Sequence, residues 1–180
     1  MELSPHDRWL TLYTPNGYDV LFVATENRKA ISFEGQPVFI DTKGDSLVLE
    51  QQNGKVVFWR LDSQSMQKQK IEEITGEYDA ETSKDGWLVV QSPQGGWLGR
   101  VERDSLLVTQ FDGRVLFASG RNDVRVLEEN KGQVILWKLD PALREKAQVN
   151  EFTGEALQYS PGGRFALLKD AQKQLWLWNL

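Results

Sequence analysis

The 180-residue sequence contains no cysteine. That excludes a disulfide framework and any thiolate metal site, and it is compatible with any compartment, the cytoplasm being the default expectation. Histidine is nearly as scarce. The one histidine, His6, stands in a polar stretch beside the chain start, so neither a Ser-His-acid triad nor a histidine-ligated metal centre has material elsewhere. No apolar run approaches the roughly 18 residues that a membrane-spanning helix needs. The opening MELSPHDRWL has neither the basic stretch nor the apolar core of a signal peptide. Cationic side chains are outnumbered, 21 Lys and Arg against 26 Asp and Glu, for a net charge of −5. A phosphate-binding surface needs clustered Lys and Arg, so neither nucleic acid nor membrane is an expected partner. Motifs of the G-x-S-x-G, Walker A, G-x-G-x-x-G and H-E-x-x-H kinds are absent too. From motifs, then, the expectation is no catalytic residue, no cofactor and no metal.

What the chain has is aromatic weight and repetition. Seven Trp and eight Phe suit large flat core positions between packed sheets. The stretch NGKVVFWRLD (53–62) returns as KGQVILWKLD (131–140) and as KQLWLWNL (173–180). Trp59 and Trp137 lie 78 positions apart and Trp137 and Trp178 lie 41 apart, which places a degenerate copy near position 98, at GGWLGRV (95–101). A further copy, NGYDVLF (16–22), carries Phe22 where the others have Trp. An aromatic or Ile, one residue and then Gly recurs independently at Gly35, Gly76, Gly113 and Gly154, with spacings of 41, 37 and 41. Polar turns follow each, at Thr42-Lys43-Gly44-Asp45, Ser83-Lys84-Asp85-Gly86, Gly120-Arg121-Asn122-Asp123 and Ser160-Pro161-Gly162-Gly163.

Each unit reads as four strands. In the second they are Pro37 to Ile40, Ser46 to Glu50, Val56 to Leu61 and Ile71 to Ile74, with a turn dipeptide such as Asn53-Gly54 between the middle two. Four strands in about 40 residues is the blade of a β-propeller. The expected fold is therefore all-β, with about 4.5 to 5 four-stranded antiparallel blades, in units of approximately 1–35, 36–76, 77–113, 114–154 and 155–180 forming a single domain or a propeller fragment. A short helical turn is expected at Pro141 to Lys146.

These units resemble a degenerate WD40-repeat β-propeller, best at YSPGGRFALLKDAQKQLWLWNL (159–180) and next at IDTKGDSLVLEQQNGKVVFWRLD (40–62). The family's Gly-His dipeptide is missing: the corresponding pairs are Gly35-Gln36, Gly76-Glu77, Gly113-Arg114 and Gly154-Glu155. The buried polar network that this His joins is thus expected to be absent or rebuilt. The resemblance implies a non-enzymatic scaffold or sensor for protein–protein interaction, as a module of a larger signalling protein. It implies a partner-binding face at Gln36, Asn53, Glu77, Gln94, Trp97, Arg114 and Glu155. The expected partner is another protein or the remainder of the same chain, or a second copy completing the open blades, since both ends fall inside blades. Three arrangements follow: part of a longer propeller, a closed five-bladed ring, or a dimer.

Two alternatives are carried. A five-bladed propeller glycosidase would use inner-strand carboxylates, with Asp41, Asp79 and Glu81 as candidates. A cofactor-binding propeller of the quinoprotein kind would need a stacked Trp and an Arg in a central channel. Among the Trp residues, Trp59, Trp137 and Trp178 are expected in equivalent core positions, while Trp9, Trp87 and Trp97 are candidates for surface contacts. The run Leu175-Trp176-Leu177-Trp178 puts large apolar residues on both faces of one strand and so requires a cover.

Overall fold

Alternating apolar residues between turn dipeptides make strands, and the computed structural model contains little else. It describes residues 1–23, 29–40, 46–83, 86–102, 105–120, 123–160 and 163–180. Strands β1 (Glu2–Leu3), β2 (Trp9–Thr14), β3 (Gly17–Phe22) and β4 (Ala30–Phe33) form the first sheet. The second comprises β5 (Gln36–Phe39), β6 (Leu47–Gln52), β7 (Lys55–Asp62) and β8 (Gln67–Thr75). The third comprises β9 (Glu77–Tyr78), β10 (Trp87–Ser92), β11 (Gly95–Glu102) and β12 (Ser105–Gln110). The fourth comprises β13 (Arg114–Ser119), β14 (Val124–Asn130), β15 (Gln133–Leu139) and β16 (Lys146–Thr153). The fifth has three strands, β17 (Glu155–Tyr159), β18 (Phe165–Lys169) and β19 (Leu175–Asn179). Each sheet is an antiparallel meander in chain order, the blade of a β-propeller, and no helix occurs among the described residues. The expected all-β, blade-built fold is the one found.

The turns fix the register. Asn53 and Gly54 take φ of 51° and 71°, and Lys131 and Gly132 take 50° and 79°. Two consecutive positive values make the tight hairpin turn whose twist matches the strands it joins. Leaving those turns, β6 pairs with β7 from Gln52↔Lys55 to Leu47↔Arg60, and β14 pairs with β15 from Asn130↔Gln133 to Val124↔Leu139. Both third strands meet their outer strands with a register shift at the same place, between Phe58 and Trp59 and between Leu136 and Trp137. An extra residue there bends the outer strand and re-aims the side chains around the Trp.

The chain divides into two compact units, Met1–Glu77 and Tyr78–Leu180. In the first, Trp9, Val20, Ile31, Phe33, Val48, Leu61 and Met66 form one buried cluster, with Trp59 packed against it. In the second, Trp87, Val89, Leu98, Phe111, Val115, Val126 and Leu139 form one cluster, and Leu127, Val134, Leu136, Ala166 and Leu168 form another.

Three local expectations are corrected. Trp9 and Trp87 are buried, at 1% and 2% exposure, because each opens a second strand and points into its cluster; neither is a surface contact. The outer strand of the second sheet begins at Gln67, four residues before the expected Ile71, since its edge side carries polar residues that hide the alternation. Pro141 to Lys146 is a turn rather than a helical turn: Asp140 caps it by accepting the Ala142, Arg144 and Glu145 N–H groups at 3.0, 2.7 and 2.7 Å. The Leu175 to Trp178 run, expected to require a cover, has none among the described residues: Leu175, Trp176 and Leu177 are exposed by 62%, 49% and 69%.

Candidate functional site

At the hairpin end of the second sheet, the strands leave a cavity of about 370 Å³. Strand alternation selects its wall. Lys55, Val57 and Trp59 follow one another at every second position of β7 and so share a face. Register brings Glu50 and Glu73 beside Val57, and Lys70 beside Trp59, while Gln52 and Asn53 close the hairpin end. The wall thus joins an indole, two ammonium groups, two carboxylates and two amides.

The charges are arranged in a fixed way. Lys55 Nζ and Lys70 Nζ donate to the two oxygens of Glu73 at 2.6 and 2.9 Å. The hydrogen bond from Lys55, followed by that from Lys70 and the two positive charges, lowers the Glu73 pKa to about 2. Glu73 is therefore a carboxylate across the working pH range and has no proton to donate. Behind it, Glu50 is buried at 3% exposure. Its Oε1 accepts the Glu34 and Gly35 N–H groups at 2.8 and 2.9 Å, and its Oε2 accepts Trp59 Nε1–H at 2.8 Å. Lys68 completes the set. Its Nζ lies 4.0 Å from the Phe33 ring centroid and 4.4 Å from that of Trp59, and donates to the Ser32 carbonyl at 2.8 Å. Burial pulls the Lys68 ammonium below the ordinary lysine range against the raising influence of Glu50 and Glu34.

The same construction recurs in the fourth sheet. Glu128 accepts the Gly113 N–H and Trp137 Nε1–H, and Lys146 Nζ lies 4.7 Å from Phe111 and 5.0 Å from Trp137. The members fall at Glu50, Trp59 and Lys68 and again at Glu128, Trp137 and Lys146, nine residues apart each time. This is the rebuilt polar network. A strand carboxylate ties the Gly turn to the Trp in place of the missing His.

The residues expected on a partner-binding face sit at corresponding ends of their own sheets. Gln36, Glu77, Arg114 and Glu155 are exposed and open the inner strands β5, β9, β13 and β17; Asn53 and Gln94 are exposed in hairpin turns. Trp97 is half-buried within β11, opposite Val90 and Gln110. Of the seven, Asn53 alone lines the cavity. Glu155 is spoken for by an ion pair with Lys169. His6 is an exposed turn residue, as expected.

The carboxylates expected of a glycosidase are found as follows. Asp41 lies outside the described residues, and Glu81 is exposed in a turn. Asp79 is half-buried and committed to its own turn: it accepts Thr82 N–H and Oγ1–H at 3.1 and 3.0 Å and Gln91 Nε2–H at 3.3 Å. Burial raises its pKa, but the Thr82 and Gln91 hydrogen bonds and the Arg114 charge outweigh that and hold it below the usual carboxylate value. In a carboxylate pair that cleaves glycosides, a lowered carboxyl fits the ionised member and not the acid, which must keep its proton. No group of three or more metal-ligating side chains occurs among the described residues, and no helix of theirs is long and apolar enough to cross a membrane.

No protein-family model and no curated protein matches the chain. Solved structures with a similar course include Hsv2 of Kluyvelomyces marxianus, at 9% identity and TM-score 0.47 over 96% of this chain and 56% of that one. The Pseudomonas aeruginosa periplasmic gluconolactonase PpgL is 18% identical, with TM-score 0.44 over 98% of this chain and 64% of its own. An oligogalacturonate lyase in complex with manganese is 12% identical, with TM-score 0.42 over 98% and 60%. The chain spans roughly half to two thirds of the length of these structures. Two expectations are corrected here. Membership of the WD40-repeat family is not upheld: no family model matches, and a Glu–Trp clasp stands where the family's His network would be. The non-enzymatic scaffold, which rested on that resemblance alone, falls with it. The inference failed because a recurring Trp strand belongs to blades in general, not to one family of them.

Proposed function

We propose that this chain is the substrate-binding part of a propeller enzyme that takes a small, anionic, hydroxyl-bearing compound such as a sugar acid. One observation carries this. A cavity of ligand size presents the paired ammonium groups of Lys55 and Lys70 beside the Trp59 indole and the Gln52 and Asn53 amides. A carboxylate on the ligand competes with Glu73 for the two lysines. An apolar sugar face stacks near the indole, and the amides serve both donors and acceptors among the hydroxyls. A concave, charged wall of this kind suits a small molecule better than the broad face of a docking platform. Glu73, held as a carboxylate by the two lysines, serves here as their counter-ion rather than as a proton donor. A cytoplasmic location is part of the same proposal, and fractionation of cells that produce the protein tests it.

The test is a titration of the purified chain with gluconate, galacturonate and neutral glucose, followed by tryptophan fluorescence and by amide shifts. The acids are expected to bind more tightly than glucose, with shifts centred on 52–59 and 70–73. Lys70→Ala is expected to remove the preference for acids while leaving the fold intact, because Lys70 is exposed. Equal binding of acid and neutral sugar, or shifts centred elsewhere, would discard this site. Turnover of the corresponding sugar lactones at constant pH reports separately on catalysis.

A further inference from the structure

The second and fourth sheets repeat at an offset of 78 residues, and the offset holds well beyond the Trp landmark. Glu50, Gly54, Trp59, Lys68 and Glu73 return as Glu128, Gly132, Trp137, Lys146 and Glu151. The backbone returns with them. Both hairpins turn through two consecutive positive φ values, and both third strands shift register against their outer strands just before the Trp. Half-buried Trp137 therefore stands opposite Gln148 as Trp59 stands opposite Lys70, and Ile135 stands opposite Glu151 as Val57 stands opposite Glu73.

Two positions of this wall change, and they change together: Lys55 becomes Gln133 and Lys70 becomes Gln148. Gln133 Nε2–H and Gln148 Nε2–H donate to the two oxygens of Glu151, the second at 2.8 Å, as Lys55 and Lys70 do to those of Glu73. The carboxylate thus keeps both donors while the wall loses both of those positive charges. Each amide also brings what an ammonium lacks, an oxygen that accepts. At the rim, Asn130 and exposed Lys131 take the places of Gln52 and Asn53. With the clasp included, the second sheet sets three lysines against two glutamates, and the fourth sets Lys131 and Lys146 against Glu128 and Glu151. One wall is cationic; the other is neutral.

A blade does not require such a bridge. In the third sheet, Gly95, Trp97 and Gly99 occupy the places of Gln133, Ile135 and Trp137, with Gln110 opposite Trp97 and Val108 opposite Gly99. Neither a carboxylate nor an amide pair spans those strands there. The bridged carboxylate beside an indole belongs to the second and fourth sheets.

We propose that this wall of the fourth sheet is a second saccharide site and takes a neutral sugar. The apolar face of the sugar lies against the Trp137 indole. The Gln133 and Gln148 carbonyl oxygens and the Glu151 carboxylate accept from its hydroxyls, and the remaining amide N–H groups donate to them. A sugar acid in the same place meets Glu151 with no paired ammonium groups to receive it. The assignment rests on the reading of the second-sheet wall as a sugar-acid site, since it takes from that wall the pairing of an indole with a bridged carboxylate.

The experiment titrates the intact chain with galactose and with galacturonate, which differ in one group, an alcohol against a carboxylate. Backbone amide shifts read the two walls separately. Galactose is expected to shift 133–137 and 148–151, and galacturonate to bind there about five-fold more weakly, as one close like-charge contact in water implies. Gln133→Lys with Gln148→Lys restores the pair of ammonium groups and is expected to reverse that preference, while the shifts at 52–59 stay as in the parent. Gln148→Lys alone, at an exposed position, is expected to weaken the preference without altering the thermal melt. No galactose shifts on the fourth sheet, an equal response there to both sugars, or an unchanged preference in both lysine variants overturns the proposal. Galactose on the fourth sheet with no galacturonate at 52–59 and 70–73 supports the neutral site and discards the sugar-acid site instead.

Discussion

Trp59 donates its indole N–H to Glu50 at 2.8 Å, and Glu50 in turn holds the Glu34 and Gly35 N–H groups of the turn that leads into its own sheet. One buried carboxylate thus satisfies three donors. Removing it leaves all three without an acceptor, each at about 1–3 kcal/mol where water cannot reach. Glu50→Ala is expected to lower unfolding stability by roughly 3 kcal/mol on that basis, read as a shift of the urea midpoint with unchanged slope. Glu50→Gln keeps an acceptor oxygen but turns an NH₂ toward donors, so an intermediate loss is expected. A change below about 0.5 kcal/mol for the alanine variant would mean that the clasp is ornamental.

Two glycines in different turns should respond in different degree. A Cβ at Gly113 would fall on the Glu129 carbonyl oxygen and 2.6 Å from Asn130 Cβ, and backbone cannot yield as a side chain does. Gly54 has a φ of +71° but nothing within 4 Å. Gly54→Ala should therefore cost only the left-handed strain, about 1 kcal/mol, while Gly113→Ala should cost more, about 2–3 kcal/mol by overpacking. Thermal melts of the two variants make the comparison, and an inverted order would refute it.

Acid should loosen the first unit through a nameable group. The Glu73 pKa is lowered from 4.5 to about 2 by Lys55 and Lys70, so between these values the unfolded chain binds a proton that the folded chain does not. Its contribution to stability is present above pH 4.5 and is lost as pH falls toward 2. Asp62, Asp123, Asp140 and Asp170, all lowered by hydrogen bonds as the leading cause, act in the same direction below their ordinary value. The double variant Lys55→Met, Lys70→Met is expected to flatten the stability profile between pH 2 and 4.5. A slope identical to the parent's would show that the exposed pair is screened to irrelevance.

The blades were legible because two landmarks, the Trp strand and the aromatic-x-Gly turn, recur at one period, and each is a backbone requirement as well as a packing one. The Glu–Trp–Lys clasp was not. A single glutamate in a strand reads as a solvent-side residue, and its burial depends on a partner nine residues away across a hairpin. The signal was present in the equal spacings of Glu50, Trp59 and Lys68 and of Glu128, Trp137 and Lys146, but it emerges only when charged residues are aligned along with apolar ones. Trp9 and Trp87 were misplaced because adjacency to a polar turn was read as exposure, although a residue at a strand's first position already points to one face. The cavity was out of reach: Glu73 falls in the expected outer strand, but Lys70 lies before its expected start and faces Trp59 only because of the register shift there.

Asp79 separates a turn role from a catalytic one. Its two oxygens are occupied by Thr82 and Gln91, and Gln91 also reaches the Val115 carbonyl at 2.7 Å, so the carboxylate anchors the start of the third sheet's first turn to the next inner strand. Asparagine can accept the Thr82 N–H through its carbonyl oxygen, whereas alanine accepts nothing. Asp79→Asn is expected to retain most of the stability that Asp79→Ala loses, about 1 kcal/mol for the lost cap, and neither variant should change ligand affinity at Lys55 and Lys70. If Asp79→Asn instead abolished turnover of a bound substrate while leaving the melt untouched, the carboxylate would be reacting rather than bracing, and the glycosidase-like use of the inner strands would return.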